Sequence, residues 1–353
     1  MSYMFNGCLA LKSLDLKLFD TSKVTDMSFM FGGCQSLTSL NVENFITSEV
    51  INMSGMFSGC FNIKEFKLQN FDTGKVKDMS YMFRYCYFTE IIHLESFNTK
   101  NVEDMYFMFG EDKHIQNLNI KNFDTSKVSD LRYMFHGCEL LTSLDLSNFD
   151  TSNVQDMSFM FSQCYNLISL IGLKKFNTSK VKDMSSMFKY CQKLDTIDLS
   201  NFNTKNVINM NYMLSYCYDL TSIDLSNLQT DEVEDMSGMF EGSNSLVDVK
   251  LNFNTKNVKY MHYMFNTCSS LTSLVLTSFN TENVENMKYM FSGCRSLIHL
   301  DISSFNTKKV TNMEEMFSYS SSLKSLDLRN FDTSKVTIMR AMFNFCFSLT
   351  SNV

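Results

Sequence analysis

The sequence predicts an α/β repeat solenoid with a parallel strand face, short helical turns on the other side and about 26 residues per repeat. Three observations predict it. One motif recurs from the first residue to the last. Its apolar spacing changes within each repeat from a helical to a strand period. The unusual composition is confined to a few columns of that motif. Self-similarity of this period marks a stacked architecture, in which each repeat buries its apolar face only against its neighbours.

The repeat is defined by aligning MSYMFNGCLALKSLDLKLFDTSKVTD (1–26) with MSFMFGGCQSLTSLNVENFITSEVIN (27–52). It restarts at Met53, Met79, Met105, Leu131, Met157, Met184, Met210, Met236, Met261, Met287 and Met313, and a partial fourteenth begins at Met339. Repeat seven is one residue long and repeat ten one residue short. The expected organisation is a single solenoid over 1–353, thirteen complete repeats plus a partial one, without a linker or recognisable caps. Positions 1 and 4 hold all 27 methionines, and positions 5 and 19 are almost always Phe. Thr at position 21 and Val at position 24 occur in every complete repeat. The chain has no proline, where roughly 17 would be expected at ordinary usage, so proline linkers are excluded.

Each stretch of the repeat suggests an element. Leu37-x-x-Leu40-x-Val42 has the L-x-x-L-x-L form, also seen at Leu141, Leu144 and Leu146, and its last apolar pair alternates with polar residues as a strand does. Met27-x-x-Met30-Phe31 places apolar residues at i, i+3 and i+4, one face of a helical turn. Asp26, Asn52 and Asp78, directly before that spacing, suit an N-cap. Val24 adds a brief extended segment. Strands facing one way and helical turns the other fit a curved solenoid of leucine-rich-repeat type, with a flatter β-solenoid as the alternative.

Composition excludes several function classes. An apolar content of 44% supports a large core and excludes global disorder. No apolar run approaches the roughly 18 residues of a membrane span. A net charge of −7 argues against a nucleic-acid surface. Eleven cysteines fall at position 8, where Asp112, Ser243 and Ser320 replace the others. A buried ladder is the expected role, with rung-to-rung disulfides or metal as alternatives; there is no C-x-x-C pair and no Cys–His ligand spacing. His93, His114, His136, His262 and His299 occupy five different positions, so no nucleophile–base set can be assembled from them. No enzymatic activity, catalytic residue, metal or cofactor is expected.

The outward strand positions carry the functional expectation. Position 15 holds Lys67, His93, Asn119, Asp145, Asp198, Asp224, Asp301 and Asp327, the candidate ligand-binding residues, and also Ile171, Lys250 and Val275. Core columns are uniform and this one varies, which recognition on a fixed scaffold requires and drift at unconstrained sites also produces. The pairs Asp198/Asp224 and Asp301/Asp327 put like charges on successive rungs, which costs energy unless solvent or a cation relieves it. Repeats three to five are the least regular: Phe66 replaces Leu, Thr89 sits at an apolar position, Tyr87-Phe88 and Tyr106-Phe107 add aromatics, and Glu111-Asp112 replaces Gly-Cys. A local site is therefore expected first in residues 61–120.

The runs Val154–Cys164 (VQDMSFMFSQC) and Ser143–Thr151 (SLDLSNFDT) resemble the BspA-like leucine-rich-repeat surface proteins, and more narrowly the mycoplasma-type repeat family of unknown function with its FDTSKVTDMSYMF signature. The resemblance covers all 353 residues. It implies a non-enzymatic protein at the cell surface or outside the cell, binding a host or neighbouring-cell protein or glycan in adhesion. Met1 occupies a repeat column, no signal peptide is recognisable, and the last repeat stops mid-pattern at Val353, as in a piece of a longer surface protein. A structural spacer or an end-to-end self-associating array is the alternative function.

Overall fold

A computed structural model describes residues 1–350; the mid-pattern end at Val353 lies outside the described residues. The chain forms two compact bodies, one of Met1–Lys180 and one beginning at Val181. In each, successive repeats are the rungs of a stack.

Eight short strands are present. The first body has β1 (Glu65–Phe66), β2 (Ile91–Ile92), β3 (Ser143–Asp145) and β4 (Ser169–Ile171); the second has β5 (Ser222–Asp224), β6 (Asp248–Lys250), β7 (Ser273–Val275) and β8 (His299–Asp301). They pair in parallel as β1–β2, β3–β4, β5–β6 and β7–β8, in a register that sets Glu65 beside Ile91 and Leu144 beside Leu170. A repeat solenoid with parallel strands is therefore the architecture. A second parallel ladder runs through single-residue bridges, Asp26 with Asn52 and Asn52 with Asp78, two residues beyond the buried Val column.

The helical turns expected at Met-x-x-Met-Phe do not form. Among the described residues there is no α-helix, and the one helical segment is a 3₁₀ turn at Leu173–Lys175. Positions 1–8 instead make linked β-turns. Met30 N–H donates to the Met27 carbonyl and Cys34 N–H to that of Phe31, closing two turns whose third residues, Phe29 and Gly33, have φ of 48° and 69°. A left-handed third residue is the mark of a type II turn. Positions 3 and 7 are left-handed in all fourteen repeats, and Tyr3, Tyr81, Tyr133, Tyr212 and Tyr289 are among them.

That conformation costs a non-glycine residue about 1–2 kcal/mol. The stack supplies the compensation. Turning at positions 3 and 7 aims alternate N–H groups along the stack, so those of Tyr3, Phe5 and Gly7 reach the carbonyls of Ser28, Met30 and Gly32 on the next rung. A helix would spend the same groups within its own rung and leave nothing to bind the neighbour. The residues expected as N-caps keep their chemistry in another setting: Asp26, Asn52 and Asp78 accept the N–H two residues on, from Ser28, Ser54 and Ser80.

Columns explain the core. In repeat two, Met27, Met30, Phe31, Cys34, Leu37, Val42, Phe45 and Val50 are all buried. Phe31 stacks on Phe57 with centroids 5.9 Å apart, and Phe83, Phe109 and Phe135 continue at 5.6 and 5.8 Å. The second body repeats this with Phe265, Phe291 and Phe317 at 5.8 and 5.7 Å. The Thr column is buried because its hydroxyl is used twice. Thr47 Oγ1 donates to the Asp72 carbonyl and accepts the Asp72 N–H, so neither lone pair nor proton is stranded. The extra residue of repeat seven is Gly172, at φ 91°, where an added Cβ would lie 2.6 Å from the Ser147 nitrogen. No helix among the described residues is long and apolar enough to cross a membrane.

Candidate functional site

The strand face carries the residues expected to bind. It divides them into two classes. In most rungs the position-15 side chain is engaged by its own turn. Asp145 accepts the Ser147 N–H at 3.0 Å, Asp198 that of Ser200 at 2.9 Å, Asp224 that of Ser226 at 3.0 Å, and Asp301 that of Ser303 at 3.0 Å. Asp327 accepts both the Arg329 N–H and its guanidinium, which holds its carboxyl down at about 2. The Ser226 and Ser303 hydroxyls and amides likewise hold Asp224 and Asp301 below the ordinary carboxylate range. Turn donors and Arg329 therefore offset part of the like-charge cost expected along this column. Frequent Asp or Asn here has a local cause, an Asx turn.

Lys67 and His93 cannot make that turn, and they converge on Glu65. His93 Nε2 lies 2.9 Å and Lys67 Nζ 3.8 Å from the Glu65 carboxylate, whose proton affinity is lowered first by the His93 hydrogen bond. His93 and Asn119 line one concavity of about 610 Å³, together with Glu90, Glu95, His114 and Gln116. Lys67 lines another of about 380 Å³ with Asn41, Glu43, Lys64 and Glu65. Ile91, in β2, is half exposed at 50% and contributes to the larger concavity. In the second body Asp224 faces Lys250 across the β5–β6 pair at 3.9 Å, while Ile171 in the first body and Val275 in the second expose apolar surface at the same column.

The structure brings His93 and Asn119 to one concavity and Lys67 to the other; Asn119, like the five aspartates, accepts an N–H of its own turn, from Lys121 at 3.5 Å. Sequence reasoning missed Glu65, on which Lys67 and His93 converge. Its signal was available, since position 13 points outward by the same alternation as position 15. The larger concavity lies wholly within the irregular segment 61–120, whereas most of the smaller one is lined by residues 38–43 of repeat two. Phe66 is buried against Phe57 and Phe83, and Thr89 is buried with its hydroxyl on the Ile63 carbonyl. Those two departures are thus core adjustments.

The cysteine column is a ladder of buried free thiols apart from the exposed Cys8 and the half-buried Cys346. Cys60 Sγ donates to the Phe31 carbonyl at 3.3 Å and Cys294 Sγ to that of Phe265 at 3.2 Å; Ser243 and Ser320 do the same with a hydroxyl. Burial pushes the thiols of Cys217 and Cys294 up to about 12, which suppresses the thiolate needed for nucleophilic attack or metal ligation. Among the described residues no three His, Cys, Asp or Glu side chains gather as a metal-ligand set.

Parallel strands, linked turn ladders and an outward face of variable side chains define a repeat solenoid. The chain belongs to the family described as "Mycoplasma protein of unknown function, DUF285", which matches residues 1–93, 87–172, 167–275 and 268–353. No curated protein matches it. Among solved structures it is similar to a leucine-rich repeat protein from Eubacterium ventriosum, at 15% identity over 90% of this chain and 85% of that one, with a TM-score of 0.41. It is also similar to a leucine rich cell surface protein from Faecalibacterium prausnitzii, at 16% identity over 97% and 85%, with a TM-score of 0.37. A leucine-rich repeat protein from Bacteroides ovatus matches at 17% identity over 82% and 87%, with a TM-score of 0.34.

Proposed function

We propose that this protein is a non-enzymatic binding module of the cell surface, acting in adhesion through the strand face of repeats two to five. One observation carries the reading. Where the column leaves the Asx turn, at Lys67 and His93, the freed side chains gather around Glu65 beside two concavities, with the exposed Ile91 among them. Charged, amide and aliphatic groups around two neighbouring concavities suit a polypeptide or glycan of another cell, held by polar contacts around an apolar centre. The family resemblance supports the surface location.

The test has two parts. Protease shaving of intact cells should release repeat peptides while a cytoplasmic control stays whole. Saturable binding to host matrix proteins or glycans should then be lost in the combined variant Lys67→Ala, His93→Ala, Asn119→Ala. A triple variant that binds every ligand as the parent does would sink the site assignment. Protection of the repeats until lysis would sink the surface location.

A further inference from the structure

Turn position 6 holds Gly, Ser, Asn or Glu in most repeats, and in the interior repeats it is half-buried or buried, as at Ser162, Ser215 and Ser318. It is basic in three: Arg84, His136 and Lys189. Each of the three lies against aromatic rings supplied by positions 3 and 7. The Arg84 guanidinium carbon is 4.2 Å from the Tyr85 centroid, 4.6 Å from that of Phe107 and 5.2 Å from that of Tyr81. The His136 ring is 5.3 Å from Tyr133 and 5.8 Å from Phe107. Lys189 Nζ is 4.2 Å from Tyr212.

Repeat five explains how the first two cages join. Its position 6 is Gly110, where a Cβ would run into the Phe107 ring. Absence of a side chain there lets Phe107 fold inward, and it is buried at 8% exposure between Arg84 and His136. The result is a basic–aromatic–basic row across three rungs. Arg84 and His136 differ in charge balance. His136 Nε2 meets Glu111 at 3.4 Å, and Glu111 and Glu139 together hold Lys113. Asp104, the other neighbouring carboxylate, accepts the Tyr106 N–H. Among the described residues Arg84 has no ion pair; its one side-chain hydrogen bond there runs from Nη2 to the Tyr85 hydroxyl at 2.8 Å, and its Nε is buried without a hydrogen-bond partner. An arginine flattened on rings is pre-organised, loses little freedom on binding, and keeps its remaining donors for a carboxylate.

We propose that the turn face of repeats four to six is a second docking surface, which takes a segment of a partner protein carrying one carboxylate among apolar side chains, with that carboxylate on Arg84. A single unpaired cation set in aromatic surface suits one carboxylate flanked by apolar side chains. It does not suit a polyanion, which the net charge of −7 would repel. Arg with Tyr is also the composition of interface hot spots. This surface is separate from the strand-face reading.

Selection of a 12-residue phage-displayed peptide library on the parent and on Arg84→Met tests it. The parent should enrich peptides with Asp or Glu beside aliphatic or aromatic residues, and Arg84→Met should not. A selected peptide should bind the parent at least tenfold more tightly than its Glu→Gln analogue, a comparison that leaves the protein unaltered. Arg84→Lys should recover part of the loss. The triple strand-face variant should bind as the parent does, so failure of either surface is visible without the other. Identical selections on both proteins, equal affinity of the Gln analogue, or no acidic enrichment would each overturn the proposal. Arg84-dependent binding of a sulfated oligosaccharide without acidic peptides would also overturn it, in favour of a glycan.

Discussion

Repeats five and twelve share one plan and differ at the inner end of the turn. In repeat twelve, Cys294 is a neutral buried donor on the carbonyl of the rung before. In repeat five, Asp112 occupies that place, completely buried, with Oδ1 accepting the Cys86 N–H at 2.8 Å and Oδ2 without a partner. Burial raises its pKa well above the ordinary carboxylate value. The two regions otherwise stack alike, since Phe83–Phe109–Phe135 and Phe265–Phe291–Phe317 keep the same centroid spacing to within about 0.2 Å. The column therefore accepts any small group that keeps a polar atom on the neighbouring backbone. It charges for one that is ionisable.

The largest expected effect tests whether the rungs are equally packed. Phe109→Ala and Phe291→Ala each remove a stacked, buried ring, and each should cost about 3–5 kcal/mol, read by urea denaturation with tyrosine fluorescence. A much smaller loss at Phe109 would mean that Asp112 has already loosened repeat five.

Next in size is the column itself. In the fold Asp112 keeps its proton above the pH at which an unfolded aspartate releases it. The folded state then binds more protons than the unfolded one, and stability falls as pH rises from the ordinary carboxylate range toward the raised value. Asp112→Cys should remove that slope and add about 1–3 kcal/mol at pH 8, where the parent carries the cost of keeping a buried carboxyl protonated or ionising it in the core. At pH 4 the difference from the parent should be small. Equal urea midpoints for parent and variant at both pH values would show that Asp112 is satisfied as it stands.

The buried hydroxyl column offers a test in the regular region. Thr281→Val keeps the shape but strips the Asn306 carbonyl and N–H of the Thr281 hydroxyl, and should cost about 1–3 kcal/mol. Accelerated amide exchange at Asn306 would locate the loss.

The smallest effect concerns turn strain. Ala341, at φ 54°, has no ring to stack, so Ala341→Gly should stabilise by up to about 1 kcal/mol. Thermal melting would detect it. A destabilised variant would show that the added freedom of glycine in the unfolded chain outweighs the relieved strain.

Much of the core was legible in advance. Met27, Met30, Phe31, Cys34, Leu37, Val42, Phe45 and Val50 stand out by column, because a side chain that faces only copies of itself leaves few alternatives. The turn was misread because i, i+3, i+4 spacing fits two linked β-turns as well as one helical turn. The correcting signal was present in Gly7, Gly33, Gly59, Gly137, Gly242 and Gly293, which recur at a left-handed position. It was masked by Tyr85, Gln163 and Tyr216 in the same column, which do not announce a positive φ. On the strand face, sequence supplied the outward column without its partners. Glu65 and His93 lie on neighbouring rungs, 28 residues apart in the chain, while Lys67 shares the rung of Glu65.

The sequence by itself determined the repeat, its core columns and the parallel strands, since each follows from periodicity within one chain, and its motif residues carried the family resemblance. Only the tertiary structure decided that the Met-Phe segment turns twice instead of winding, because the deciding hydrogen bonds run between rungs. It also decided which polar side chains are occupied. Asp224 is held by its own turn, while Arg84, similar in kind to any surface cation, is left caged and unpaired by rings from two rungs. Such pairings depend on stacking distance, and no local rule of sequence contains it.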